Sequence, residues 1–185
     1  MPIKQGVRIL AIDDSAFSKK DKEALVVGVV GRQDLIEGLL SFSVRVDGSD
    51  ATGKIISKVR SSHFSDQIRL IALHGVTLAG LNMVDIEKVG RELGVPVVSI
   101  IRRKPHSSEL EKAIRSVGKS SSSRLALLKR LNKSMKIERS KGFYVQRAGI
   151  KKEEFARFQD SAVHLLRLAH IIANGVATGE SRGRV

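Results

Sequence analysis

Val7-Arg8-Ile9-Leu10-Ala11-Ile12-Asp13-Asp14 is a short, mostly apolar run that ends in two carboxylates. It has no helical period, and its length suits a strand buried on both faces. A central strand ending in acid puts carboxylates at the carboxyl edge of a sheet, where open α/β folds carry out their chemistry. The surrounding chain is basic: 33 Lys and Arg stand against 19 Asp and Glu in 185 residues, a formal charge of +14. Acid at that edge is therefore a local reversal of sign, and a bound cation is one economical reason for it.

Working outward, residues 25–30 and 39–46 read as two further strands, with the turn Gly31-Arg32-Gln33-Asp34 joining them as an antiparallel hairpin. Ile55, Ile56 and Val59 share a helical spacing within 52–62, and residues 69–73 form another buried-type strand. Val84, Ile86, Val89 and Leu93 mark a helix stopped by Gly94 and Pro96, and a β-branched strand follows at 97–101. Ser108 and Glu111 fit a Ser-x-x-Glu capping box, opening a helix that ends at Gly118. Lys119 and the four serines after it read as a loop, followed by a basic helical stretch at 124–133. A late strand at 143–145 precedes a long amphipathic helix over 153–174, with Phe155, Phe158, Leu165, Leu166 and Ile172 inward.

This order predicts an α/β fold: a mixed sheet with an antiparallel three-strand start, then parallel crossovers, and helices on both faces. That is the ribonuclease H-like arrangement, expected as a single domain over residues 1–177 with a flexible basic tail at 178–185. No Gly-x-Gly-x-x-Gly follows the first strand and no Gly-Lys-Ser/Thr loop occurs, which argues against a dinucleotide-cofactor dehydrogenase and a P-loop ATPase.

The charge favours a polyanionic partner: DNA, RNA or an anionic membrane surface. There is no cysteine, so neither disulfides nor thiolate metal sites are available. No apolar stretch approaches the ~20 residues of a membrane span. A cytoplasmic protein with no membrane partner is expected.

Metal-dependent phosphodiester hydrolysis needs carboxylates converging from different elements, because Mg²⁺ takes oxygen ligands. The sequence offers Asp13 and Asp14 after the first strand, and Asp47 and Asp50 after the third. Adjacent strand residues point to opposite faces, so one member of the Asp13-Asp14 pair faces the site while the other caps a turn. Each acid also has a structural reading: Asp14-Ser15 as an Asx turn, Asp47-Gly48 as a tight turn, Asp50 as a helix N-cap.

Several segments carry a more specific signal. These are 10–17, 46–52 (Val-Asp-Gly-Ser-Asp-Ala-Thr), 75–85, 94–105 and 144–149. Together they resemble the archaeal endonuclease dU family, related to endonuclease V. The resemblance implies a cytoplasmic DNA-repair hydrolase on a ribonuclease H-like fold that uses Mg²⁺ to cut DNA near deaminated bases, deoxyuridine above all. It implies Asp13 as the first catalytic acid and Asp50 as the second, with Asp47 and Asp14 as fallback ligands. A third acid is expected in a Leu-Asp-Gly segment, but this chain reads Leu73-His74-Gly75. His74 then ligates a softer ion such as Mn²⁺, acts as an acid or base, or marks an impaired site. In the last case the chain is a non-catalytic nucleic-acid-binding protein on the same fold. Arg102 matches the basic residue expected after the strand that follows Pro96. His170 falls where relatives carry a late acidic segment, though an ordinary helix histidine is the favoured reading there.

Arg102, Arg103 and Lys104 follow a strand, at the edge where Asp13 is expected, and suit phosphate contacts. Lys129, Arg130 and Lys133 are placed to clamp a strand. Aromatics are only 4% of residues, which disfavours extensive base stacking. The hairpin at 32–39 has neither the proline nor the aromatic residues of the wedge that endonuclease V inserts into a duplex.

Overall fold

The computed structural model describes residues 6–18, 20–33, 35–117 and 121–181. The first three strands are β1 (Arg8–Asp14), β2 (Glu23–Arg32) and β3 (Leu35–Arg45), followed by α1 (Ala51–Arg60) and β4 (Ile68–Leu73). A short hairpin of β5 (Thr77–Leu78) and β6 (Asn82–Met83) leads into α2 (Ile86–Leu93) and β7 (Val97–Ile101). Then come α3 (Ser107–Ser116), α4 (Ser121–Ser134), β8 (Glu138–Ser140), β9 (Phe143–Ala148), α5 (Lys152–Phe155) and α6 (Gln159–Thr178).

Seven strands form one sheet in the order β3-β2-β1-β4-β7-β9-β8. β1 pairs antiparallel with β2, and β2 with β3. β4 lies parallel to β1, and β7 parallel to β4. The antiparallel start, the parallel crossovers and the helices on both faces match the ribonuclease H-like expectation. β1 is central, and Ile9, Leu10, Ala11 and Ile12 are all buried. Its alternation splits the interior in two. Ile9 and Ala11 pack with Phe155, Leu165, Leu166 and Ala169 beneath α6. Leu10 and Ile12 face Ile55, Val59, Ile86 and Leu131 of α1, α2 and α4. Each of the Ile, Leu, Val and Phe side chains among these contributes about 1.5–3 kcal/mol by leaving water.

Local chemistry sets the helix ends near the site. Asp85 accepts the Lys88 amide at 3.0 Å to start α2, and Gly94, in the left-handed region at φ 67°, stops it. α6 is pinned at both ends. Gln159 exchanges two hydrogen bonds with Ser140 at 2.6 and 2.7 Å, and Asn174 Oδ1 accepts the Ala16 amide at 2.8 Å.

Four local expectations need correction. The helix expected over 153–174 breaks after α5: Arg157 and Phe158 donate to carbonyls three residues back, a tighter turn that lets both Phe155 and Phe158 reach the core. The capping box at Ser108 is two residues late, since α3 begins at Ser107 with His106 in the N-cap position. Ser121, Ser122 and Ser123 belong to the first turn of α4 rather than to a loop, while Gly118, Lys119 and Ser120 lie outside the described residues. The tail expected from residue 178 is helical at Thr178, the last residue of α6, and residues 182–185 lie outside the described set.

The turn between β2 and β3 holds Gln33 in the left-handed region, φ 50°; its neighbour Asp34 lies outside the described residues. Asp13 pairs with Val27, and Arg32 lies five residues further along β2. The turn is thus about 17 Å along the strand from Asp13, at the opposite edge of the sheet. No helix among the described residues is long and apolar enough to cross a membrane.

Candidate active site

β1, β4 and α6 each deliver one side chain to a single point. Asp13 follows Ala11 on the α6 face of β1, and His74 stands just past β4 on the face of Leu70 and Ala72. His170 comes from α6, one turn after the buried Leu166. Asp13 Oδ2 lies 3.0 Å from His170 Nδ1 and 3.3 Å from His74 Nδ1. The two imidazoles meet edge to face with ring centroids 6.4 Å apart. Among the described residues this is the only group of His, Asp or Glu whose ligand atoms all fall within 4.8 Å of one another.

Asp13 has a side chain only 3% exposed, and that burial opposes ionisation. Hydrogen bonds from His170 and His74, and their charge, outweigh it and hold the carboxyl below the usual range. His74 is shifted upward, first by its bond to Asp13, with burial opposing and the charges of Asp13 and Asp14 adding. Asp14 behaves differently. Burial and the neighbouring Asp13 charge push it up to about 6, against the pull of the Ala79 amide that its Oδ2 accepts at 2.9 Å.

Asp50 does not join Asp13 and His74. Its Oδ1 accepts Asn82 Nδ2 at 2.6 Å and the Arg45 amide at 3.2 Å, and Lys54 Nζ stands 3.1 Å from Oδ2. Asp47, the fallback, accepts the Leu81 amide at 2.8 Å and gives its own amide to Ala79 O. Asp14 and Asp47 therefore bind the turn between β5 and β6, and Asp50 binds the Asn82 side chain at the start of β6. Gly80 makes that turn possible: φ is 84°, and a Cβ there would fall 2.4 Å from Asp47 Oδ1. Buried Arg124 of α4 completes the unit by donating to the carbonyls of Asp47 and Gly48. Three of the four acids singled out from sequence are thus structural in place, and His170 takes the third position at Asp13.

Arg102, Arg103 and Lys104 are exposed after β7, at the same carboxyl edge, and Arg102 lines a small cavity with His74 and Ile100. Lys129 and Lys133 are exposed on α4. Arg130 is not available in the same way, because its guanidinium pairs with Asp85 and Glu87 at the start of α2.

One oxygen and two nitrogens form a donor set that suits a divalent ion. Donors about 2.1 Å from a cation and at right angles stand about 3.0 Å apart, close to the separations found at Asp13. Two imidazoles favour Mn²⁺ or a similar transition ion over Mg²⁺.

Residues 5–177 match the sequence profile of the family described as Endonuclease dU. The chain belongs to the endonuclease dU family. A UPF0215 protein of Methanothermobacter thermautotrophicus is 37% identical over 189 residues, covering 98% of this chain and 93% of that protein. A UPF0215 protein of Archaeoglobus fulgidus is 37% identical over 183 residues, with 96% and 97% covered. A crystal structure of a protein of unknown function from Archaeoglobus fulgidus aligns with a TM-score of 0.84 at 36% identity, covering 94% of this chain and 99% of that one. Human ENDOV aligns with a TM-score of 0.55 at 11% identity, covering 91% and 83%, a likeness of fold. Within this endonuclease dU family chain, sequence reasoning put Asp13 and His74 forward as candidates and set His170 aside, whereas the structure brings all three together. The signal was its register: His170 and Asn174 continue the inward stripe of Leu166, where a polar side chain needs a partner.

Proposed function

We propose that the protein is a metal-dependent endonuclease that hydrolyses DNA phosphodiester bonds near deaminated bases, with deoxyuridine preferred, and serves DNA repair. The observation that carries this is the convergence of Asp13, His74 and His170 at the carboxyl edge of the sheet, in a member of the endonuclease dU family. A divalent cation held by these three residues would supply Lewis acidity toward a phosphate oxygen. Without a cation, Asp13 Oδ2 stands within hydrogen-bond reach of both Nδ1 atoms and keeps the two imidazoles together; a bound cation would replace those contacts. Arg102, Arg103 and Lys104 at the same edge draw in backbone phosphates without reading sequence. The net charge of +14 supports a nucleic-acid partner. The three converging donors support this reading over a binding-only protein, since His170 supplies the ligand that a histidine at position 74 had put in doubt.

The test is nicking of uracil-containing DNA by the purified protein with Mn²⁺ and Mg²⁺ in parallel. Asp13→Ala is expected to abolish nicking while DNA affinity is kept or raised. Nicking by that variant at the wild-type rate would refute the assignment.

A further inference from the structure

Arg124, near the start of α4, is 6% exposed, yet its guanidinium meets no carboxylate among the described residues. Nη2 donates to the carbonyls of Asp47 and Gly48, the second at 3.0 Å, while Nε and Nη1 have no partner. A buried charge met only by carbonyl dipoles is a costly arrangement, so the reason for it lies in what the side chain holds.

What it holds is strained backbone. Among the described residues four that are not glycine have φ in the left-handed region, and two of them meet here, Asp47 at 49° and Ala79 at 47°. Such residues persist only where their surroundings over-determine them. The Asp47 amide donates to Ala79 O at 2.9 Å, and Asp47 Oδ1 accepts the Leu81 amide at 2.8 Å. Arg124 grips this joined pair from outside, at the carbonyl of Asp47.

From the turn the bonds run on to the candidate metal ligand. The Ala79 amide donates to Asp14 Oδ2 at 2.9 Å, and the Asp14 amide donates to Asp13 Oδ1 at 3.0 Å. The other oxygen, Oδ2, faces the two imidazoles. Both oxygens of Asp13 are therefore oriented, one by the histidines and one by a line of bonds that begins on α4.

We propose that Arg124 is a positioning residue: by clamping the Asp47 and Ala79 turns it fixes Asp14, and through the Asp14 amide it sets the carboxylate of Asp13 for the cation. Arg124 itself touches neither cation nor nucleic acid. The helix that offers Lys129 and Lys133 to a strand is thus the helix that sets the metal ligand. This rests on the reading of Asp13, His74 and His170 as a cation site.

The test has a metal-free and a metal-loaded arm, both on the full chain. Without metal, the Nδ1 resonances of His74 and His170 at fixed pH report the Asp13 carboxylate. Arg124→Met should move both, whereas Arg130→Gln, on the same helix but off this line of bonds, should move neither. Circular dichroism checks folding, and if Arg124→Met does not fold, Arg124→Lys decides by the same resonances. Calorimetry then gives Mn²⁺ affinity, which Arg124→Met should weaken by about tenfold or more. Asp14→Ala should weaken it too, and the double variant should lose no more than the worse single one. Unmoved histidine resonances in a folded Arg124 variant, or losses that add in the double variant, overturn the proposal. Failure of the wild type to bind Mn²⁺ counts against the cation site, whereas the metal-free resonances judge the role of Arg124.

Discussion

His170 Nδ1 lies 3.0 Å from Asp13 Oδ2, although the two residues are 157 positions apart in the chain. One closes the central strand and the other sits on the last helix, so the site forms only when α6 docks across the sheet. The Gln159–Ser140 and Asn174–Ala16 bonds pin the two ends of that helix and thereby set the height of His170 above Asp13.

His170→Ala should lower cleavage by at least about 100-fold while the protein stays folded. Asp50→Ala should show the reverse pattern. It removes the acceptor of the Arg45 amide and Asn82, costing roughly 1–3 kcal/mol of stability, yet leaves Mn²⁺ affinity in place. Metal titration calorimetry and thermal melts on both variants check this, and loss of metal affinity in Asp50→Ala would return that residue to the metal site.

The choice of ion follows from the donor set. Mn²⁺ should support faster cleavage than Mg²⁺ in the wild type, and His74→Asp should shift the balance toward Mg²⁺ by replacing a nitrogen with carboxylate oxygens. Initial rates of one strand with each ion, for both proteins, give the ratio. An unmoved ratio would place His74 outside the coordination sphere.

Asp14 carries a prediction about pH. Its folded pKa of about 6 exceeds the ordinary 3.8, so between those values the folded state keeps a proton that the unfolded chain has released. Stability must fall as pH rises through that window and stay lower above it. Asp14→Asn keeps an acceptor for the Ala79 amide and removes the charge. It should stabilise the metal-free protein by roughly 1–3 kcal/mol near pH 8, with the gain vanishing toward pH 4. Denaturant melts at the two pH values measure the difference, and equal gains at both would contradict the cause assigned to the shift.

The basic residues should separate by their partners. Arg103→Gln and Lys104→Gln should each reduce the slope of log affinity against log salt by up to about 0.9 for duplex DNA. Arg130→Gln should leave the slope unchanged, because Asp85 and Glu87 already engage that guanidinium. A slope reduced equally by all three would put Arg130 on the nucleic acid.

The sheet was legible because its strands are buried on both faces and announce themselves as apolar runs, as in β1, β4 and β7. The hairpin of β5 and β6 was not, since two-residue strands carry no period. That hairpin decided the fate of the acids. Asp47 and Asp50 look like ligands by type and position, but backbone amides of a turn unreadable in sequence take one of them and a buried asparagine the other. His170 was hidden for another reason: its partner lies at the far end of the chain, and only packing of α6 brings them together.

Asp13, His74 and His170 lie over the α6 face, whereas Gln146 and Asn132 lie under the α1 and α4 face, with Gly75 between them. The two flanks of this edge therefore differ in chemistry: a carboxylate and two imidazoles on one, and side-chain amides among apolar walls on the other, with the backbone of Gly75 as the ridge between them.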